Sequence, residues 1–238
     1  MKRNARGAWS YVVTCEHATN HVPARYRRLF AGAEDVLSTH RAYDPGAKLL
    51  ANRFAKQLGV SAHCGVVSRL IIELNRSIGH PRLYSEFMQS LDTTARRELL
   101  DRNYMPYRSA VEAEIGRLTM IGRRVCHVSV HSFTPVLDGD VRRADIGLLY
   151  DPARTAERTL CRRWQSELQD DDGGIVVRCN YPYRGNADGF TTYLRKQFAG
   201  GQYLGIELEV NQHWPLQAGS AWRRMQTQLV ATFVRATA

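Results

Sequence analysis

The chain has 238 residues, 44% of them apolar and 24% charged, enough for one globular domain spanning residues 1–238. No apolar run approaches the ~20 residues of a membrane span, and the basic N-terminus does not read as a signal peptide. The net charge of +10 sits mostly on arginine doublets scattered along the chain with no interleaved aromatics, which argues against nucleic-acid binding and suits an anionic small molecule. Five cysteines with no close pair read as reduced, packed thiols of a cytoplasmic protein.

Residues 9–16 are rich in Val and Tyr and read as a strand. A short helix is expected over 24–31 after Pro23. Residues 45–58 carry apolar positions near a 3.6 spacing, begin at Pro45 and stop at Gly59, so they read as a helix with Asp44 as its N-cap. The apolar runs Val60–Val67 and Leu70–Leu74 suggest one or two strands. A helical stretch follows from Thr93 to Asn103, and another helix over 107–122 places Val111, Ile115, Leu118 and Ile121 on one stripe.

Residues 124–131 and 145–150 read as strands, 153–168 as a helix, 170–174 as a turn and 175–179 as a strand. The Gly-, Asn- and Tyr-rich stretch 180–201 reads as a long loop, the kind that often carries function. A strand over 203–210 and a helix over 219–236 close the chain. Such alternation implies a mostly parallel sheet covered on both faces.

Two histidines stand at strand ends, where sites gather in parallel α/β sheets. His17 follows Glu16 after the first strand, and His131 ends the strand over 124–131. Two imidazoles with a nearby carboxylate can hold zinc and activate water. His127 lies four strand residues from His131, roughly 13 Å by strand rise, and reads as structural. Glu207 and Glu209 share a strand face about 6.6 Å apart. Two carboxylates on a buried face are costly without a cation or proton, and one could act as general base. Arg69 and Arg76 flank an apolar stretch and could bind a carboxylate or an oxyanion. No Walker loop, dinucleotide fingerprint, His-Glu-x-x-His or nucleophile elbow is present.

Six segments in this order resemble the N-formylglutamate amidohydrolase family: 15–20 (Cys-Glu-His-Ala-Thr-Asn) with Val22 and Pro23, 40–47 (His-Arg-Ala-Tyr-Asp-Pro-Gly-Ala), 68–77 (Ser-Arg-Leu-Ile-Ile-Glu-Leu-Asn-Arg-Ser), 131–135 (His-Ser-Phe-Thr-Pro), 180–183 (Asn-Tyr-Pro-Tyr) and 206–210 (Ile-Glu-Leu-Glu-Val). The resemblance implies a three-layer α/β/α sandwich with a mostly parallel mixed sheet, similar to zinc-dependent exopeptidases. It implies zinc on His17 and His131, with one of Glu16 and Asp44 as third ligand and the other as its outer partner. By the same resemblance Glu209 is the catalytic carboxylate, with Glu207 second, and Arg69 steadies the oxyanion. Asn75, Arg76, Arg143 and Tyr183 are then substrate-binding.

The implied activity is zinc-assisted hydrolysis of the amide of an N-formyl or N-acyl amino acid such as N-formylglutamate, a small anionic amino-acid derivative. The alternatives are a carboxypeptidase-like hydrolase of a short peptide and a non-catalytic binder of an anionic metabolite. Glu73 stands where the family usually has aspartate.

Overall fold

The computed structural model describes residues 9–170 and 174–238. The basic N-terminal stretch 1–8 and most of the turn expected at 170–174 lie outside the described residues.

The strands in chain order are β1 (Trp9–Cys15), β2 (Ala62–Cys64), β3 (Arg124–Phe133), β4 (Val136–Leu137), β5 (Asp140–Val141), β6 (Ile146–Leu149), β7 (Val177–Cys179) and β8 (Tyr203–Asn211). Six of them form one sheet in the order β2-β1-β3-β8-β6-β7, while β4 and β5 pair as a small ribbon. β2, β1, β3 and β8 run parallel, and β6 joins β8 antiparallel. The mixed, mostly parallel sheet expected from the sequence is therefore the observed one.

The helices are α1 (Ala47–Leu58), α2 (Thr93–Leu99), α3 (Met105–Met120), α4 (Thr155–Asp170), α5 (Phe190–Gln197), α6 (His213–Gln217) and α7 (Gly219–Thr237). One face of the sheet packs on α1, α4 and α7, where Phe54, Trp164, Leu229 and Phe233 meet Cys126, Val128, Ile206 and Leu208. The other face packs on α3 and α5 through Val12, Val111, Ile115, Phe190 and Leu194. A separate cluster built on Phe30, Ile71, Ile72, Met88 and Leu99 supports the long connections between β1 and α3.

The strand period of two decides which side chains meet on each face. In β3, Cys126, Val128 and Val130 point to the larger core, so His127, Ser129 and His131 point to the α3–α5 side. The register Ser129↔Glu207 and His131↔Glu209 continues that polar row onto β8. The row is almost entirely buried, which is costly unless each group has a partner.

Three local expectations need correction. Leu70–Leu74 is buried but forms turns rather than a strand, because its apolar side chains fill the satellite cluster and its backbone folds back on itself. The short helix expected over 24–31 is present, as a 3-10 helix over Ala24–Phe30. The stretch 180–201, read as a loop, contains α5, whose buried face of Phe190, Thr191, Leu194 and Arg195 is stabilised by packing on β8. The N-cap of α1 is Gly46, and the Asp44 carboxylate makes no capping bond, because it is drawn into the site described next.

Candidate active site

β1 and β3 deliver His17 and His131, and the turn before α1 delivers Asp44. Asp44 Oδ2 lies 3.2 Å from His17 Nδ1 and 3.0 Å from His131 Nδ1, and the two ring nitrogens are 3.1 Å apart. One ligand atom from each of the three buried residues falls within 4.8 Å of the others. The backbone N–H of Ser132 donates to Asp44 Oδ2 at 3.2 Å, which fixes the carboxylate where a helix cap would otherwise release it.

The outward nitrogens of both rings are tied to carboxylates. His17 Nε2 is 2.5 Å from Glu73 Oε1, and His131 Nε2 is 3.0 Å from Glu16 Oε2. Such a carboxylate holds the ring proton on Nε2 and leaves Nδ1 as a lone pair. Two Nδ1 lone pairs and a carboxylate oxygen then face one point, an arrangement that repels itself unless a cation stands there. Imidazole nitrogens with a carboxylate oxygen are the donors zinc takes in hydrolytic sites, so the residues fit that ion.

The electrostatics agree. Burial pulls both imidazoles down, joined at His17 by the Arg69 charge, but the surrounding carboxylates outweigh this and both lie above the usual histidine value. Burial alone would raise Glu16, Asp44 and Glu73. Hydrogen bonds and charges from His131, His17 and Arg69 override it and hold all three well below the usual carboxylate range. The pocket thus favours positive charge at its centre.

Glu209 behaves differently. It is buried, and its Oε2 has no hydrogen-bond partner. Burial, with Asp44 and Glu207 adding to it against the two histidines, pushes its carboxyl up to about 8. Its antiparallel register partner on β6 is Gly147, where a Cβ would collide with the carbonyl oxygen of Tyr181. Glycine is required there so that the Tyr181 carbonyl can approach the strand beside Glu209.

His17, Asp44, His131 and Glu209 line a cavity of about 390 Å³, with Arg69, Asn75, Arg76, Tyr183 and Glu207 also on its wall. Two expected site residues stand elsewhere. Glu16 lies behind His131, held by Ser129 Oγ at 2.6 Å and Tyr107 Oη at 2.9 Å, so Asp44 rather than Glu16 joins the convergent group. Arg143 is exposed and does not line the cavity. Its neighbour Arg142 points inward instead and donates to Tyr183 Oη at 3.0 Å, a consequence of the side-chain alternation along that segment.

The segment 69–77 carries four residues of the site, Arg69, Glu73, Asn75 and Arg76. Arg69 bonds both Asp44, at 3.4 Å, and Glu73, at 2.7 Å. Asn75 Oδ1 accepts the Phe190 N–H at 2.7 Å, and Arg76 donates to the Asp188 carbonyl. Beneath the turn, Arg108 donates to the carbonyls of Leu74 and Arg76 at 3.2 Å and stacks on Phe190, Tyr193 and Tyr104. Sequence reading missed Glu73 as the partner of His17 and Asp188 as the anchor of the turn. The signals for Glu73 were its place in an otherwise apolar run and its position in the family-like segment 68–77.

Elsewhere on the same face His127 is bonded by Thr14 Oγ1 at 2.8 Å and Tyr203 Oη at 2.7 Å, a fully satisfied structural histidine. No helix among the described residues is long and apolar enough to cross a membrane.

The fold and site together define an α/β protein with a buried His-Asp-His group at the carboxyl ends of parallel strands, beside a solitary carboxyl. The chain belongs to the N-formylglutamate amidohydrolase family, whose model matches residues 9–214. Family membership makes it a hydrolase of the amidohydrolase type, with a small amino-acid derivative as substrate. The crystal structure of a gene product from Agrobacterium tumefaciens is similar at a TM-score of 0.81 and 27% identity, covering 95% of this chain and 89% of that one. The crystal structure of N-formylglutamate amidohydrolase from Ralstonia eutropha JMP134 is similar in fold at a TM-score of 0.71 and 18% identity, covering 97% and 93%. No curated protein matches the sequence.

Proposed function

We propose that the protein is a zinc-dependent amidohydrolase that cleaves the amide of an N-formyl or N-acyl amino acid. The observation that carries this reading is the convergence of His17 Nδ1, His131 Nδ1 and Asp44 Oδ2, with each outward Nε2 held by its own carboxylate. Zinc held by these three residues would supply Lewis acidity, lowering the pKa of a water molecule and polarising the scissile carbonyl.

The chain's own residues do the remaining work. Glu209 Oε2, buried and unpartnered, takes the proton from the attacking water and passes it to the leaving amine. The Arg69 guanidinium, fixed by Glu73 and Asp44, offers charge to the oxyanion as it forms. Arg76 binds the α-carboxylate, and Asp188 keeps its guanidinium in place. Glu207, bonded by Thr191, sets the charge at the rear of the cavity. Glu73 and Glu16 hold the imidazole rings in orientation.

The test is metal content by plasma mass spectrometry and amide hydrolysis, wild type beside His131→Ala. About one zinc per wild-type chain with turnover of N-formyl or N-acyl amino acids, both lost in a folded mutant, is the expected result. A chain that binds no zinc on titration would overturn the reading and favour a metabolite binder.

A further inference from the structure

A second cavity of about 510 Å³ adjoins the first, and Arg69, Arg82 and Tyr183 belong to the walls of both. Its own lining includes His40, Arg41, Tyr84 and Gln89. The arginines there differ in what they are free to do. Arg69 is engaged by Asp44 and Glu73, and Arg41 by Glu86. The Arg82 side chain has no hydrogen-bond or ion-pair partner among the described residues, and it stands where the two cavities meet.

This arrangement gives the substrate a direction, resting on the hydrolase reading above. Arg76 lines the first cavity and not the second. With the amino-acid carboxylate at Arg76 and the scissile carbonyl at Arg69, the acyl arm points past Arg69 into the second cavity. A formyl group ends at the carbonyl carbon and would leave that space unused. An arm of a few carbons ending in a carboxylate fills it and meets the free guanidinium of Arg82, the group suited to bind a carboxylate in fork geometry.

We propose that the second cavity is an acyl-arm subsite and that the preferred substrates are N-acyl amino acids whose acyl group ends in a carboxylate, of the N-succinyl type. The reaction balances as simple hydrolysis. The water oxygen bonds to the acyl carbon, the carbon–nitrogen bond breaks, and the amine departs with the proton carried by Glu209. The products are a dicarboxylic acid and the free amino acid.

The experiment compares kcat/KM of the zinc-loaded full-length enzyme on N-succinyl-, N-butanoyl- and N-formylglutamate. N-succinylglutamate is expected to lead by at least about tenfold, the free-energy scale of one charge-assisted hydrogen bond. Arg82→Gln should erase the lead over N-butanoylglutamate. Gln89→Trp, at an exposed position that lines the second cavity alone, should lower N-succinyl turnover about tenfold and leave N-formyl turnover unchanged. An enzyme that prefers the formyl substrate, or whose N-succinyl turnover ignores Gln89→Trp, overturns the subsite while the hydrolase reading stands. Hydrolysis of none of the three overturns both.

Discussion

His131 and Glu209 are register partners on the adjacent parallel strands β3 and β8. One ring of the convergent donor group therefore stands beside the buried carboxyl that lacks a partner. Glu209→Gln keeps the shape of that side chain and removes its ability to take a proton. We expect kcat to fall by about 10²- to 10⁴-fold, the usual worth of a general base, with zinc content unchanged by plasma mass spectrometry. Loss of metal along with activity would instead assign Glu209 to ion binding.

Glu73 separates from Glu209 in the opposite sense, because it never faces the centre of the group. It holds His17 Nε2 at 2.5 Å and Arg69 at 2.7 Å. Glu73→Gln keeps an acceptor but loses the charge that fixes the ring proton. Zinc affinity, measured by competition with a chromogenic chelator, should weaken by about 10- to 100-fold, as outer partners of metal ligands typically do. An unchanged affinity would show that the ring is oriented by packing alone.

His127 predicts how stability depends on pH. Burial pulls its pKa from 6.5 to about 4, with the Arg195, His63 and His131 charges acting in the same direction and Glu16 against them. Between those values the unfolded chain binds a proton that the folded one refuses. This contribution to stability is therefore complete above about pH 6.5 and is lost as pH falls toward 4, by about 1.4 kcal/mol per unit and about 3 kcal/mol in all. Urea denaturation of wild type and His127→Gln at several pH values reads the effect. The variant should show a flatter slope over this window, and parallel slopes would assign the acid sensitivity to other groups.

The strands β1, β3 and β8, the helices α1, α3, α4 and α7, and the mixed, mostly parallel sheet were legible because each rests on local periodicity and on turn or cap residues. The strand-end positions of His17 and His131 and the shared face of Glu207 and Glu209 were legible for the same reason, since a period of two is a property of the strand itself. Three features were decided only by tertiary structure. Asp44 carries the local signature of a helix cap, yet its carboxylate is held by His17, His131 and the Ser132 N–H, groups up to 88 residues away. Glu16 precedes His17 in sequence but sits behind His131, because a sheet partner and Tyr107 claim its oxygens. α5 hides in a polar, glycine-rich stretch, because its stability comes from packing on β8 and from the Asn75 cap rather than from its own propensity. Local pattern fixes the direction of side chains along an element, while the choice among competing partners depends on distances between elements that no window of sequence contains.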